Sequence, residues 1–400
     1  MNLINLPELA QDETAFETWR NEAFPFFQRK ICLTHASVSP IPQVAAAAIA
    51  TYAQHISTEG QFDYLNMPTY DRAKERIARL MTGADAKTTE VAFASSTSHA
   101  LGIVATGLDW KDGDNLVVAD GDFPANIIPW KNLQRRHNIE VRMIPHRTTM
   151  ELTLEDVQAL VDERTRIVSL ASANFLTGCP IDTASIGAWL RERGVLFCVD
   201  AIQTLGAVRL DATYIDFVCA DAHKWLLGPN GIAFLWARHG ALEQLHPAIL
   251  GWLAPKDRDN FFAYDVTPLD NAERFEPGAR NYVGTFGLEA SLAQYEESGP
   301  EWIEQRVVEL RNYAAERLEA IGCPLLWKPD GRKSGIVSFL PPSGHRLSAA
   351  ELYNQLDSRF ALSLRQDKTG ADWIRVSAHW MNTKRDLDAL AAMVVSLGSE

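Results

Sequence analysis

The run VLFCVD (195–200) ends in Asp200, with Gln203 three residues on, and FVCADAHKW (217–225) carries Lys224, 24 residues after Asp200. A lysine amine condenses with an aldehyde, and a carboxylate beside a pyridine nitrogen keeps that nitrogen protonated. Pyridoxal-phosphate (PLP) chemistry asks a protein for both groups, because the protonated ring accepts the electrons of a carbanion. Each residue also has an ordinary reading. A strand-end Asp caps helices, and a single Lys is a solvated surface charge. The stretch HKWLLGP (223–229) argues against the surface. It sets a charged pair among apolar residues, ahead of a Gly-Pro turn and the apolar run GIAFLWA (231–237).

A second group lies earlier. VAFA (91–94) leads into SSTSHALG (95–102), where Ser96, Thr97 and Ser98 offer hydroxyls and N–H groups at the start of a helix. That is a ready anion site, and equally an ordinary N-cap. The chain has no GxGxxG and no P-loop lysine, so nucleotide sites lack their usual phosphate grip. Ten histidines show no HExxH spacing, and no metal is expected. Cys32, Cys179, Cys198, Cys219 and Cys323 have no ribbon-like spacing and read as reduced, buried thiols of a cytoplasmic protein.

The elements that must position these residues follow from the pattern of apolar runs. NLVVAD (115–120), VRMIP (141–145), TRIVSLAS (165–172), VLFCVD, FVCAD and GIAFLWA alternate with amphipathic stretches. Such alternation predicts a mainly parallel sheet with helices on both faces, and ligands beyond the carboxyl ends of the strands. After about residue 290 a long amphipathic helix (301–321), short strand candidates and a final helix (383–397) predict a smaller α+β unit. The expected division is a large cofactor-binding domain, 31–290, and a small domain of 1–30 and 291–400. A net charge of −13 disfavours nucleic acid and anionic lipid as partners. No apolar run is long enough to span a bilayer, and no secretory leader is expected.

The ordered set of segments from LTHASVSPIP (33–42) to RVSAHWMNTKRDLD (375–388) resembles the class-V aminotransferase family. The family includes cysteine desulfurases, isopenicillin-epimerase-like enzymes and kynureninase. The resemblance implies a fold-type I PLP-dependent α/β fold, and a homodimer with active sites at the subunit interface. It implies that Lys224 carries the cofactor as a Schiff base, that Asp200 holds the ring nitrogen, and that Gln203 lies beside the phenolic oxygen. Ser96, Thr97 and Ser98 match the phosphate loop. Asn174 matches an asparagine near the phenolic oxygen and substrate, and Arg375 matches the arginine that grips the substrate carboxylate. His223 precedes the lysine as in many relatives, in a catalytic role or as a packed histidine.

Departures from the family pattern carry information. Phe123 in DGDFPANIIPW stands where desulfurases have a histidine on the cofactor; it can stack on a ring but moves no proton. ALSLRQDKTGADWIR (361–375) lacks the cysteine that desulfurases place before the arginine, and a persulfide mechanism needs a thiolate. Gly278-Ala279-Arg280 replaces a Gly-Thr pair that reaches the neighbouring subunit's phosphate. Arg280 either supplies a charge there or pairs with a carboxylate such as Glu276. Asp221 replaces a serine and is expected to turn away from the phosphate or pair with a cation. The function expected is an aminotransferase acting on an amino acid. A β-elimination lyase or an epimerase is the alternative, and a PLP-binding regulator without turnover the third. Side-chain specificity is expected from loops and the partner subunit, including segment 57–71.

Overall fold

The computed structural model describes residues 5–62, 67–328 and 330–399; four residues of segment 57–71 lie outside the described residues. Helices α1 (Glu13–Ala23), α2 (Gln43–Thr58) and α3 (Pro68–Leu80) come first. A central run follows: β1 (Val91–Ala94), α4 (Thr97–Gly107), β2 (Asn115–Ala119), α5 (Ile128–Arg136), β3 (Glu140–Ile144), β4 (Thr165–Ala171), α6 (Thr183–Arg191), β5 (Leu196–Asp200), β6 (Phe217–Asp221) and β7 (Ala233–Ala237). The strands form one seven-stranded sheet in the order β1-β7-β6-β5-β4-β2-β3. All its pairings are parallel except those of β7, which runs antiparallel to both β1 and β6. The mainly parallel α/β sheet expected from the sequence is therefore present.

Alternating residues on each strand supply the two faces. Val117, Val168, Phe197, Val199, Val218 and Phe234 pack with Ile186 and Leu190 of α6. The same cluster takes in Leu288 and Leu292 of α7 (Tyr282–Ser298) and Ile303 and Val307 of α8 (Pro300–Ala320). Leu116, Val118, Ile167, Cys198, Phe217 and Leu235 face the other way, onto Ala100, Leu101 and Val104 of α4 and Leu133 of α5. A strand buried on both faces needs apolar residues at every position, which is why these segments read as unbroken apolar runs.

A third cluster builds the C-terminal part. Strands β8 (Val337–Phe339), β9 (Ser363–Gln366) and β10 (Asp372–Val376) form an antiparallel sheet in the order β8-β10-β9. Leu352 and Leu356 of α9 (Ala349–Leu356), Leu387 and Leu390 of α10 (Lys384–Ser399), and Leu310 and Leu318 of α8 cover it. The division into 31–290 and 1–30 with 291–400 stands as a proposal. Residues 5–30 bridge the two parts. Phe16 and Phe24 join the cluster of the large sheet, while Arg20 pairs with Asp386 of α10 at 2.7 Å. Ile31 and Cys32 pair in parallel with Phe360 and Ala361 beside the small sheet.

Candidate active site

Five strand ends set the site, because the sheet brings its carboxyl ends to one edge. Asp200 ends β5 and Asp221 ends β6. Lys224 follows three residues after β6, Ser96 two residues after β1, Phe123 four residues after β2, and Asn174 three residues after β4. A cavity of about 280 Å³ is lined by Ser96, Thr97, Ser98, Phe123, Asp200, Gln203, His223, Lys224 and Arg375, together with Ser37, Phe175, Asp221 and Arg365. Nine of the eleven residues singled out from the sequence thus meet in one cavity.

The lysine is held by its own turn. Leu227 adopts a left-handed backbone (φ 57°) and its N–H donates to the Lys224 carbonyl at 3.1 Å. On either side the neighbouring carbonyls are clamped: Ser39 N–H donates to His223 (2.9 Å), and His379 Nε2–H donates to Trp225 (2.9 Å). His379 Nδ1 accepts from Trp380 N–H at 2.9 Å, which fixes the neutral tautomer with its hydrogen on Nε2. Gly206, at φ 95°, passes so close beneath Trp225 that a Cβ would overlap its carbonyl.

Burial sets the electrostatics. It lowers the Lys224 amine to about 8, against the opposing pull of Asp200. The Asp200 carboxyl, 2% exposed, is pushed up to about 7, first by burial and then by Asp122. Desolvation also raises Asp122, whose carboxylate accepts from Phe123 N–H (2.7 Å) and Asn126 Nδ2 (2.9 Å). Among the described residues the Asp200 carboxylate accepts one hydrogen bond, from Ile202 N–H at 3.1 Å. A buried carboxylate with so little support is suited to a cationic partner such as a protonated pyridine nitrogen.

The other residues fit the cofactor to differing degrees. Ser96 caps α4, accepting from His99 N–H at 3.1 Å. Thr97 is buried and its Oγ1 has no hydrogen-bond partner among the described residues. That orphaned hydroxyl, at the N-terminus of an 11-residue helix and facing the cavity, fits a phosphate oxygen. The Phe123 ring centroid lies 5.6 Å from Lys224 Nζ and meets Phe175 edge-on at 5.3 Å, so an aromatic wall stands where a planar ring would lie. Gln203 Nε2 donates to the Ala36 carbonyl (3.1 Å) and Oε1 accepts from Trp225 Nε1 (3.3 Å). His223 Nδ1 sits 2.7 Å from Asp221 Oδ1, so the imidazole is the group that Asp221 faces.

Arg375 is fully buried; its guanidinium donates to the Phe175 carbonyl and the Ser37 hydroxyl. Burial, then Arg365, lowers it to about 9.

Two expected residues lie elsewhere. Asn174 Oδ1 accepts from Leu176 and Thr177 N–H (2.9 and 3.0 Å), closing its own turn, and the residue lines a separate small cavity with Asp122 and Cys179. Arg280 pairs with Glu273 (3.1 Å) and Glu276 (3.4 Å), stacks over Tyr70, and lines a different cavity. Of its two readings from the sequence, the ion pair is the one seen within this chain. Conversely, Ser37 and Arg365 line the Lys224 cavity without having been singled out. The signal for Arg365 was its place in ALSLRQ: Ser363 pairs with Arg375 across the hairpin, so residue 365 shares that face.

Residues 31–390 match the family model described as aminotransferase class-V. A probable cysteine desulfurase of Staphylococcus epidermidis is 28% identical over 334 residues, covering 80% of this chain and 79% of that protein. In structure, the chain resembles the cysteine desulfurase of Thermococcus onnurineus, with a TM-score of 0.84, 21% identity, and 96% and 98% of the two chains covered. It also resembles the cystine C–S lyase C-DES in complex with its product cysteine persulfide (TM-score 0.83, 22% identity, 94% and 100% covered). With nine-tenths of its length matched and a PLP-compatible cavity at the strand ends, the chain belongs to the class-V aminotransferase family of PLP-dependent enzymes.

Proposed function

We propose that the protein acts on an amino acid, with the Lys224 amine as its one base at the substrate Cα and β-elimination as the outcome. The Lys224 amine carries the reading. Burial holds it near neutrality, so it exchanges a proton at ordinary pH. Asp200 binds the ring nitrogen, Thr97 and Ser98 bind the phosphate, and Phe123 covers one face. Arg375 orients the substrate carboxylate. Asn174 acts at one remove, by shaping the turn that presents Phe175. Bound in this cavity, PLP supplies an electron sink for a carbanion at the substrate Cα.

The residues present separate the outcomes open to that carbanion. Epimerisation by two bases needs a second proton donor opposite Lys224, and Phe123 exchanges none. A protein persulfide needs a thiolate, and no cysteine is among the cavity's lining residues. Burial pushes Cys32, Cys179 and Cys323 up to about 12. A sulfur leaving group departs without a general acid, so Lys224 suffices for elimination, and desulfurases and a C–S lyase are among the relatives. Amino transfer is the second reading, favoured by one base able to serve both ends of a proton transfer on one face.

The test is the visible spectrum of the holoenzyme, with L-amino acids added singly and no keto acid. Elimination predicts a persisting cofactor band with ammonia and keto acid accumulating over many turnovers. Bleaching of that band with one equivalent of keto acid establishes amino transfer instead.

We also propose a homodimer in the cytoplasm. Ile249, Trp252, Phe261, Phe262, Tyr264 and Val266 are exposed and close in sequence, and such an apolar patch on one chain calls for a cover. The five cysteines are single buried thiols, which supports a reducing compartment. Among the described residues no helix is long and apolar enough to cross a membrane. Light scattering that gives a monomer for the wild type would sink the dimer.

A further inference from the structure

We infer that Arg365, with Ser37, forms a second anion subsite beside Arg375, and that the substrate is an amino acid with a second anionic group on its side chain. This rests on the amino-acid reading above and goes on to name the substrate class.

Two guanidiniums line one end of the cavity. Both donate to the same hydroxyl: Arg365 Nη2 to Ser37 Oγ at 2.8 Å, and Arg375 Nη2 to that oxygen as well. Their other partners are neutral. Arg365 Nη1 donates to its neighbour's carbonyl, Leu364, at 2.9 Å. Arg375 also reaches the Phe175 carbonyl and, at 3.4 Å, Ser363 Oγ. Arg375 Nε has no hydrogen-bond partner among the described residues.

Two like charges sharing one neutral acceptor repel each other, and burying them without an anion is costly. The chain is not short of acids to pair them with: its net charge is −13. Elsewhere the buried Arg20 meets Asp386 and the largely covered Arg280 meets Glu276. Arg274, Arg306 and Arg311 meet none, but each donates to backbone or amide carbonyls and none lines this cavity.

The two carboxylates that do line the cavity are engaged at its other parts. Asp221 lies against His223 at 2.7 Å, and Asp200 accepts from Ile202 at the end of β5. No side-chain acid lies within ion-pair distance of Arg365 or Arg375 among the described residues, so the balancing charges arrive with the ligand. One carboxylate satisfies one planar fork. Arg375, the deeper of the two, takes the α-carboxylate. Arg365, half-buried on the same face of the β9–β10 hairpin, takes a second acid carried by the side chain or leaving group.

Calorimetry on the holoenzyme tests the subsite without turnover. Maleate and succinate carry two carboxylates and no amino group; butyrate carries one. The dicarboxylates are expected to bind about tenfold or more tighter than butyrate, as a charge-assisted pair implies. Arg365→Gln is expected to bring them down to the butyrate level, and Arg375→Gln to weaken all three. Equal binding of maleate and butyrate to the wild type overturns the proposal, whatever the variants do. So does an R365Q loss that is the same for both, since Arg365 would then serve the α-carboxylate.

S-Carboxymethyl-L-cysteine against S-methyl-L-cysteine in the spectral assay gives the matching arm, with the acid expected to saturate at the lower concentration. If dicarboxylates bind through Arg365 but no amino acid reacts, the subsite stands and the reading of function falls. If amino acids react without preference for a second acid, the function stands and the subsite falls.

Discussion

Asp200 shows how burial prepares a single carboxyl for one partner. Its folded value of about 7 lies above the ordinary 3.8. Between those values the unfolded chain has already lost the proton that the folded chain keeps. Without cofactor, Asp200 therefore costs stability as pH rises from about 4 to about 7, and the cost persists above. In the cofactor-free protein, Asp200→Asn should melt with the wild type at pH 4 and above it at pH 8. Loading PLP should reverse that order at pH 8, because the asparagine lacks the charge that a protonated ring nitrogen needs. Melting curves at the two pH values, with and without cofactor, check both halves. An advantage for the variant of equal size at pH 4 and pH 8 would sink the account.

Between elements, the lysine turn is fixed by parts distant in sequence. His379 follows β10 and donates to the Trp225 carbonyl next to Lys224. Burial drives its imidazole from the ordinary 6.5 down to about 3. The unfolded chain then binds a proton that the folded chain refuses, so stability is lost as pH falls below about 6.5. His379→Phe should leave the carbonyl unsatisfied and cost about 1–3 kcal/mol at neutral pH. It should also flatten the acid limb of a pH–stability profile measured by urea denaturation; a limb as steep as the wild type's would remove His379 from that role. Gly206 limits the same turn from below. Gly206→Ala meets both a positive φ and the Trp225 carbonyl, and should destabilise by about 2 kcal/mol or more. Retention of wild-type stability would mean the turn has room to shift.

Across the whole molecule, α1 and α10 are joined by the buried pair Arg20–Asp386. Asp386 also accepts from Asn382 Nδ2 at 2.9 Å and Thr383 N–H at 3.1 Å, so one carboxylate ties the N-terminal helix to the start of the last. Removing one partner strands the other. Arg20→Ala should cost about 3–5 kcal/mol, and Arg20→Ala with Asp386→Ala clearly less than the sum of the two single changes. A double-mutant cycle by chemical denaturation measures this, and strict additivity would show the pair to be uncoupled.

The sequence by itself determined the sheet and which residues gather at its carboxyl edge. Parallel strands buried on both faces must be unbroken apolar runs, and residues just past such runs must share one edge. That is why Asp200, Lys224, Phe123 and the Ser96–Ser98 loop were legible, each lying within a few positions of a strand end. The antiparallel direction of β7 was not legible, because an apolar run has no sign of direction. Nor was the fate of Asn174 and Arg280. A carboxamide can close its own turn, and a guanidinium can find a nearby carboxylate, so residue type leaves the choice to three-dimensional neighbours. Only the tertiary structure brought Ser37 to Arg365 and Arg375, since each contact joins positions more than 300 residues apart. No local spacing encodes such a meeting. It depends on the small sheet packing against the N-terminal segment, and with it depends what charge the cavity will accept.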